Sequence, residues 1–313
     1  MNLIFLGTPS FAVPTLERMV QAGHRVLGVF TQPDRPKGRG GAFAAPPVKI
    51  AALAHDLPVF QPERVRRPEV VAQMTQMGPD AMVVVGYGQI IPQSIIDIPR
   101  HGIINVHASL LPKYRGAAPI QWAIANGEER TGVTTMRIDA GLDTGDMLLK
   151  WETAIGPEEN ALELGERMAQ AGADLLVRTL QAIEAGTVQP QPQNSSQATL
   201  APILKKEDGA IDWTWPARKI FNRTRGFLPW PGTYSFFRGQ MFHIWRTRVS
   251  EIAGRGFPGT LSTLHNRLIA TAGDGSALEL IDVQVEGRKR MAAEAFLNGH
   301  HLNPDEVLGA KAA

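Results

Sequence analysis

The sequence predicts an α/β protein: a mostly parallel, doubly wound (Rossmann-like) sheet followed by a small C-terminal OB-like β-barrel. Three observations carry this. Short apolar runs alternate with helical patterns through residues 1–189, as in a parallel sheet covered on both faces. Residues 186–209 (GTVQPQPQNSSQATLAPILKKEDG) then lose periodicity and gain Pro, Gln, Ser and Asn, a linker composition. Beyond them, five short strands separated by glycine turns suggest a small barrel. The expected division is a catalytic domain over 1–189, a linker over 190–208 and an OB-like domain over 209–313.

In order, NLIFLG (2–7) is a buried first strand, followed by a helix near 14–22 and a strand over 25–31. Residues 32–47 (QPDRPKGRGGAFAAPP) form a long loop rich in Pro, Gly and basic side chains, of a length that is usually functional or disordered. Helices near 47–55 and 67–77 precede AMVVVG (81–86), the most strand-like run in the chain, and GIINVH (102–107) is another strand. A helix at 119–126, strands at 131–137 and 147–154 and a long helix at about 160–185 complete this half. After the linker come a short helix near 216–224, strands at 233–237, 240–248, 259–264, 267–272 and 277–285, and a last helix near 292–298.

Several chemistries are excluded. The 313 residues contain no cysteine, so disulfides, thiolate nucleophiles and Cys-ligated metals are absent. No apolar run approaches the ~18 residues of a membrane-spanning helix. The opening MNLIFLGTPS reads as a strand rather than a signal peptide, compatible with a cytoplasmic protein. The first strand runs into GTPSFAVP, not G-x-G-x-x-G; there is no P-loop, no H-x-x-x-H and no G-x-S-x-G. The sheet alone therefore licenses neither a nicotinamide nor an ATP enzyme.

Charge is uneven. Residues 1–189 carry 17 Lys+Arg and 19 Asp+Glu, whereas 218–267 carry nine Lys+Arg against one acid, Glu251. A block of this kind fits either a solvated basic face or a polyanionic partner.

Two clusters could carry chemistry. Asn105 and His107, two apart at a strand's carboxyl end, share one face and sit where a parallel sheet places ligands. They could equally cap the strand end. DAGLDTGD (139–146) brings Asp139, Asp143 and Asp146 into a glycine-rich turn, which fits an Asx turn, a divalent cation site or a catalytic carboxylate. An amide, an imidazole and a carboxylate together can run acyl transfer without a covalent intermediate: the first two donate to an oxyanion, and the carboxylate or the imidazole takes the proton of an attacking amine. An α-amine has a pKa near ~8, lower in an aminoacyl ester, so a mild base suffices.

NVHASLLPKYRGAAP (105–119) followed by DAGLDTGD resembles the 10-formyltetrahydrofolate-dependent formyltransferases, with both motifs complete and in order. LGTPSFAVPTL, TQPDRPKGRG with PPVK after it, and FNRTRGFLPWPGTY resemble the branch of that family that acts on methionyl-tRNA, and the similarity covers nearly the whole chain. The resemblance implies that Asn105, His107 and Asp143 are the catalytic trio. It implies that Ser109, Leu110, Leu111 and Pro112 line the formyl-folate site, with Gly86, Tyr87, Gln89 and Ile91 in the pterin pocket. The co-substrate would be 10-formyltetrahydrofolate, the acceptor charged initiator methionyl-tRNA, and neither a metal nor an obligate protein partner would be needed. Arg39 matches the family's key loop arginine and Lys206 a linker lysine near the tRNA; Arg35 and Lys37 in the loop and Arg223, Arg225, Arg246 and Arg248 in the basic block would join them.

One departure stands out. Where the family loop continues with basic residues, this chain reads GRGGAF, so Arg35, Lys37, Arg39 and Lys49 keep it basic but less densely. Weaker loop electrostatics and more reliance on the C-terminal domain are expected. The aromatics interleaved with the basic block (Phe227, Trp230, Tyr234, Phe237, Phe242, Trp245) should be mostly core. Two other readings stay open: a sugar-nucleotide N-formyltransferase with the same trio, and a tRNA-binding protein whose transferase domain is dead.

Overall fold

The computed structural model describes residues 1–37, 42–304 and 306–309. The chain divides into two compact units: Met1–Pro119 with Arg130–Ala154 and Gly165–Pro202, and Ile120–Glu129 with Ile155–Leu164 and Ile203 onward.

The chain runs β1 (Asn2–Gly7), α1 (Val13–Gln21), β2 (Arg25–Phe30), β3 (Arg35–Lys37), β4 (Ala42–Ala44), α2 (Pro47–Ala54), β5 (Val59–Phe60), α3 (Pro68–Met77), β6 (Ala81–Val85), α4 (Gln93–Ile96), β7 (Ile103–His107), β8 (Arg115–Gly116), α5 (Pro119–Ala125), β9 (Arg130–Arg137), β10 (Met147–Ala154), α6 (Ala161–Glu184) and β11 (Leu200–Ala201). The first unit holds a seven-stranded sheet of order β10-β9-β7-β6-β1-β2-β5. The five strands from β7 to β5 pair in parallel; β9 and β10 are antiparallel additions at one edge. The central strands read as unbroken apolar runs because both faces are covered: every residue of β6 is buried. Ile4, Leu6, Phe30, Met82, Val84 and Ile103 pack with Met74 and Ile95 in one core cluster. Helix α6 lies close on the sheet at Gly172, where an added Cβ would stand 3.0 Å from Val106, and Thr179 meets Thr135 of β9 at 2.8 Å. Proline near the start of α1, α2 and α3 occupies positions whose N–H has no helical partner.

The stretch 32–47, expected as a loop, contains the β3–β4 hairpin and gives way to α2 at Pro47. The stretch 190–208, expected as a linker, is tied down as far as residue 201: Gln191 bridges Met147, and β11 pairs in parallel with β8.

The second unit continues with α7 (Ala217–Gly226), β12 (Thr233–Phe237), β13 (Gln240–Val249), β14 (Leu261–Leu264), β15 (Arg267–Thr271), β16 (Ala277–Val285), β17 (Met291–Ala292) and α8 (Ala293–Gly299). Its sheet runs β12-β13-β16-β15-β14, antiparallel throughout, with β17 beside β16. Two-residue turns at Arg238–Gly239 and His265–Asn266 have positive φ at both positions, the hairpin geometry that matches strand twist. Both edges meet the same terminal segment: Phe236 bridges Gly309 and Thr260 bridges Val307. That segment closes the sheet, and Leu308 between the two bridges is buried with Trp213, Phe237, Phe242, Ile244, Leu280 and Phe296. Among the described residues no helix is long and apolar enough to cross a membrane.

Candidate active site

Strand β7 ends at the sheet's carboxyl edge and delivers Asn105 and His107; the 139–146 turn before β10 delivers Asp143. The three side chains meet. Asn105 Nδ2 donates to Asp143 Oδ1 at 3.3 Å, and His107 Nδ1 faces Asp143 Oδ2 at 3.6 Å. The Gly116 N–H donates to the same Oδ2 at 2.8 Å. The other imidazole nitrogen, Nε2, lies 2.9 Å from the Tyr114 carbonyl, which can only accept, so Nε2 carries a proton. His107 is 5% exposed, so its remaining nitrogen is directed at Asp143 rather than at bulk water. Asp143 itself has φ 50°, a left-handed conformation that is rare for a residue with a side chain and clusters at functional sites.

The 109–112 loop is built from behind. Ser109 is fully buried, and its Oγ donates to the Lys113 carbonyl at 2.6 Å. Thr134 of β9 accepts from Leu111 N–H at 3.2 Å and donates to the Ser109 carbonyl at 2.7 Å. Lys150 of β10 donates to the Leu111 carbonyl at 2.7 Å, and partial burial lowers its pKa. Leu111 is buried, Leu110 and Pro112 are half-buried, and the Leu111–Pro112 peptide is cis.

In the 86–91 turn, Gly86 and Gly88 take positive φ. Tyr87 is 1% exposed. The ring is buried in the core, and its carbonyl accepts from Thr8 and Gln32. Gln89 is likewise engaged, accepting from Val65 N–H and donating to the Pro62 carbonyl. Ile91 packs against the core, while its neighbour Ile90 is 92% exposed.

Residues 1–180 match the model of the formyl transferase family and 203–301 that of the formyl transferase C-terminal domain. The chain is 64% identical over 309 residues to the methionyl-tRNA formyltransferase of Solibacter usitatus, covering 99% of each, and 57% identical over 310 residues to that of Koribacter versatilis, again covering 99% of each. The chain belongs to the methionyl-tRNA formyltransferase family. Among solved structures it resembles in fold the sugar 3N-formyl transferase WlaRD, solved in the presence of dTDP and 5-N-formyl-THF. The TM-score there is 0.67 at 18% identity, over 92% of this chain and 99% of that one.

The basic positions expected from the family separate into two groups. Arg223 and Arg225 are half-buried and engaged within the second unit. The Arg223 guanidinium lies 4.5 Å from the Trp215 ring centroid and 5.7 Å from that of Trp122, and donates to the Asp208 carbonyl. Arg225 donates to the carbonyls of Gly156 and Glu159 and to Asn222. Burial lowers the pKa of both. Arg246 and Arg248, alternate residues of β13, are instead exposed. They form a ladder with Arg290 and Arg267: Asp282 pairs with Arg246 and Arg290, and Glu279 with Arg248 and Arg267. Four cations against two carboxylates leave that face basic, beside a cavity of about 330 Å³ walled in part by Trp245 and Thr247.

In the 32–47 stretch, Arg35 is exposed with Glu63 at 3.9 Å, Lys37 closes β3, and Arg39 lies outside the described residues. Lys49 is held by Asp34 at 2.8 Å. Lys206 is exposed. Of the interleaved aromatics, Phe227, Phe237 and Phe242 are core and Tyr234 and Trp245 half-buried, but Trp230 is 54% exposed.

Sequence reasoning missed Thr134, Lys150, Arg115 and Gln193, all of which brace the site. Thr134 and Lys150 lie in strands whose patterning shows nothing unusual, Arg115 sits inside the 105–119 motif without a role of its own being read for it, and Gln193 sits in a stretch whose composition alone suggests a tether.

Proposed function

We propose that this protein transfers the formyl group of 10-formyltetrahydrofolate to the α-amine of methionyl-initiator tRNA, giving N-formylmethionyl-tRNA for translation initiation. The observation that carries this reading is the convergence of Asn105, His107 and Asp143, drawn from two segments far apart in sequence, at 3.3 and 3.6 Å.

The amine attacks the formyl carbon and charge develops on the formyl oxygen. An amide nitrogen has two hydrogens. With one of those on Asn105 directed at Asp143, the other donates to the oxyanion. His107 acts through Nδ1, since Nε2–H is engaged by Tyr114. Asp143 takes up the amine proton, directly or through Nδ1. The bond from the formyl carbon to N10 then breaks, N10 takes a proton, and tetrahydrofolate leaves. The 109–112 backbone and the 86–91 turn hold the folate, with Ile90 offering apolar surface to the pterin.

Arg35, Lys37, Arg39, Lys206, Arg246 and Arg248 neutralise tRNA phosphates; Arg223 and Arg225 stiffen the unit behind them. We assign the reaction to the cytoplasm, where charged initiator tRNA is used, with no protein partner required. The test is single-turnover formyl transfer to charged initiator tRNA, run in parallel with an amino-sugar nucleotide. Transfer to the tRNA alone is expected, and a His107→Ala variant should lose turnover while keeping tRNA affinity. Comparable transfer to the sugar, or full turnover by His107→Ala, would overturn the reading.

A further inference from the structure

The geometry points to Gln193, backed by Arg115, as the positioning residue that holds Asp143 in its working conformation. This rests on the reading of Asp143 as the reacting carboxylate. A left-handed φ costs free energy at any residue that carries a Cβ, aspartate included, and persists where surrounding hydrogen bonds hold it.

Gln193 imposes it. Its Nε2 donates to the Asp143 carbonyl and to the Gly145 carbonyl, both at 2.8 Å, so both amide hydrogens are engaged on either side of Thr144. Its Oε1 accepts from Arg115 Nε at 3.0 Å and Nη2 at 2.8 Å. Carbonyls only accept and a guanidinium only donates, so the orientation of the Gln193 amide is fixed by its partners.

Arg115 is 7% exposed, and the residue after it, Gly116, supplies the N–H on Asp143 Oδ2. The same short segment therefore fixes Asp143 from its carboxylate end directly and from its carbonyl end through Gln193. The segment is itself anchored to the stretch that carries Gln193. Thr199 Oγ1 accepts from Tyr114 N–H at 2.8 Å, and the Ala201 carbonyl accepts from Ala117 N–H at 2.9 Å. At Gly116, φ 119°, an added Cβ would stand 2.6 Å from the Ala201 oxygen, so the two strands approach this closely because of the glycine.

The full-length enzyme is assayed with Gln193→Glu, which is isosteric and keeps the acceptor for Arg115 but turns lone pairs on both carbonyls. Gln193→Met, neutral and of similar length, is a second variant in case the first does not fold. Either folded variant should lose kcat by about 10²-fold, the scale of a reacting group misplaced by ~1 Å. KM for formyl-folate and for tRNA should stay within about threefold. In an Asp143→Asn background the same substitution should cost nothing further, because it acts through Asp143. A folded Gln193 variant with wild-type kcat would overturn the inference, as would an undiminished loss in the Asp143→Asn background. Full turnover by Asp143→Asn alone would instead sink the reading on which the inference rests.

Discussion

Replacing Thr134 by valine removes one hydroxyl and little else. The residue is fully buried on β9, and valine has nearly the same shape. Its Oγ1 serves two backbone groups of the 109–112 loop, donating to the Ser109 carbonyl at 2.7 Å and accepting from Leu111 N–H at 3.2 Å. A buried polar group left without its partner costs about 1–3 kcal/mol. Two such groups at about 1.5 kcal/mol each give a loss of about 3 kcal/mol, which for a unit of this size lowers Tm by about 6–12 °C. A loop that must be re-ordered by its ligand also weakens binding. If half of the loss is recovered on folate binding, KM for formyl-folate rises about tenfold. Thermal unfolding and steady-state kinetics with varied folate measure both, and Thr134→Ser, which keeps the hydroxyl, should recover most of each. A Thr134→Val protein with unchanged Tm and unchanged folate KM would refute the reasoning that this hydroxyl organises the loop.

Asp34 accepts from Gln61 Nε2 at 2.7 Å and pairs with Lys49; the Gln61 hydrogen bond and then the Lys49 ammonium hold its carboxyl below the usual range. A depressed folded pKa contributes stability that is complete above the unfolded value of about 3.9 and is lost as pH falls through the folded one. The Tm advantage of wild type over Asp34→Asn should therefore be flat above about pH 5 and shrink below about pH 4; an advantage independent of pH contradicts this. Arg246→Ala with Arg248→Ala should weaken tRNA binding and reduce the slope of log K against log[salt] by about 2, roughly one per lost phosphate contact, while folate binding stays unchanged. Filter binding across a salt series checks this, and an unaltered slope would remove the β13 ladder from the tRNA interface.

The sheet was legible because a strand buried on both faces must be apolar throughout, as Ala81–Val85 is. That Asn105 and His107 address the same carboxylate was legible because alternate residues of a strand share a face; that the carboxylate is Asp143 rather than Asp139 or Asp146 came only from the family resemblance. What sequence could not convey was the use of each polar group. Arg223 and Arg225 count as two positive charges in any composition window, yet Trp122, Gly156 and Glu159, remote in sequence, engage their guanidinium groups. Tyr87 and Gln89 fall within a motif and are engaged by the protein itself, whereas Ile90 between them and Ile91 is the side chain left in the open. Gln193 lay hidden for the opposite reason: a Pro-, Gln- and Ser-rich stretch lacks periodicity whether it dangles or is threaded through a site.

That threading bears on how the gene could be divided. A polypeptide ended at residue 189, where the composition changes, would retain all seven strands of the large sheet, yet it would be stripped of Gln191, Gln193, Thr199 and Ala201. A chimaera that borrows its terminal barrel from a relative should be spliced after Pro202, so that the transferase half keeps its own lacing.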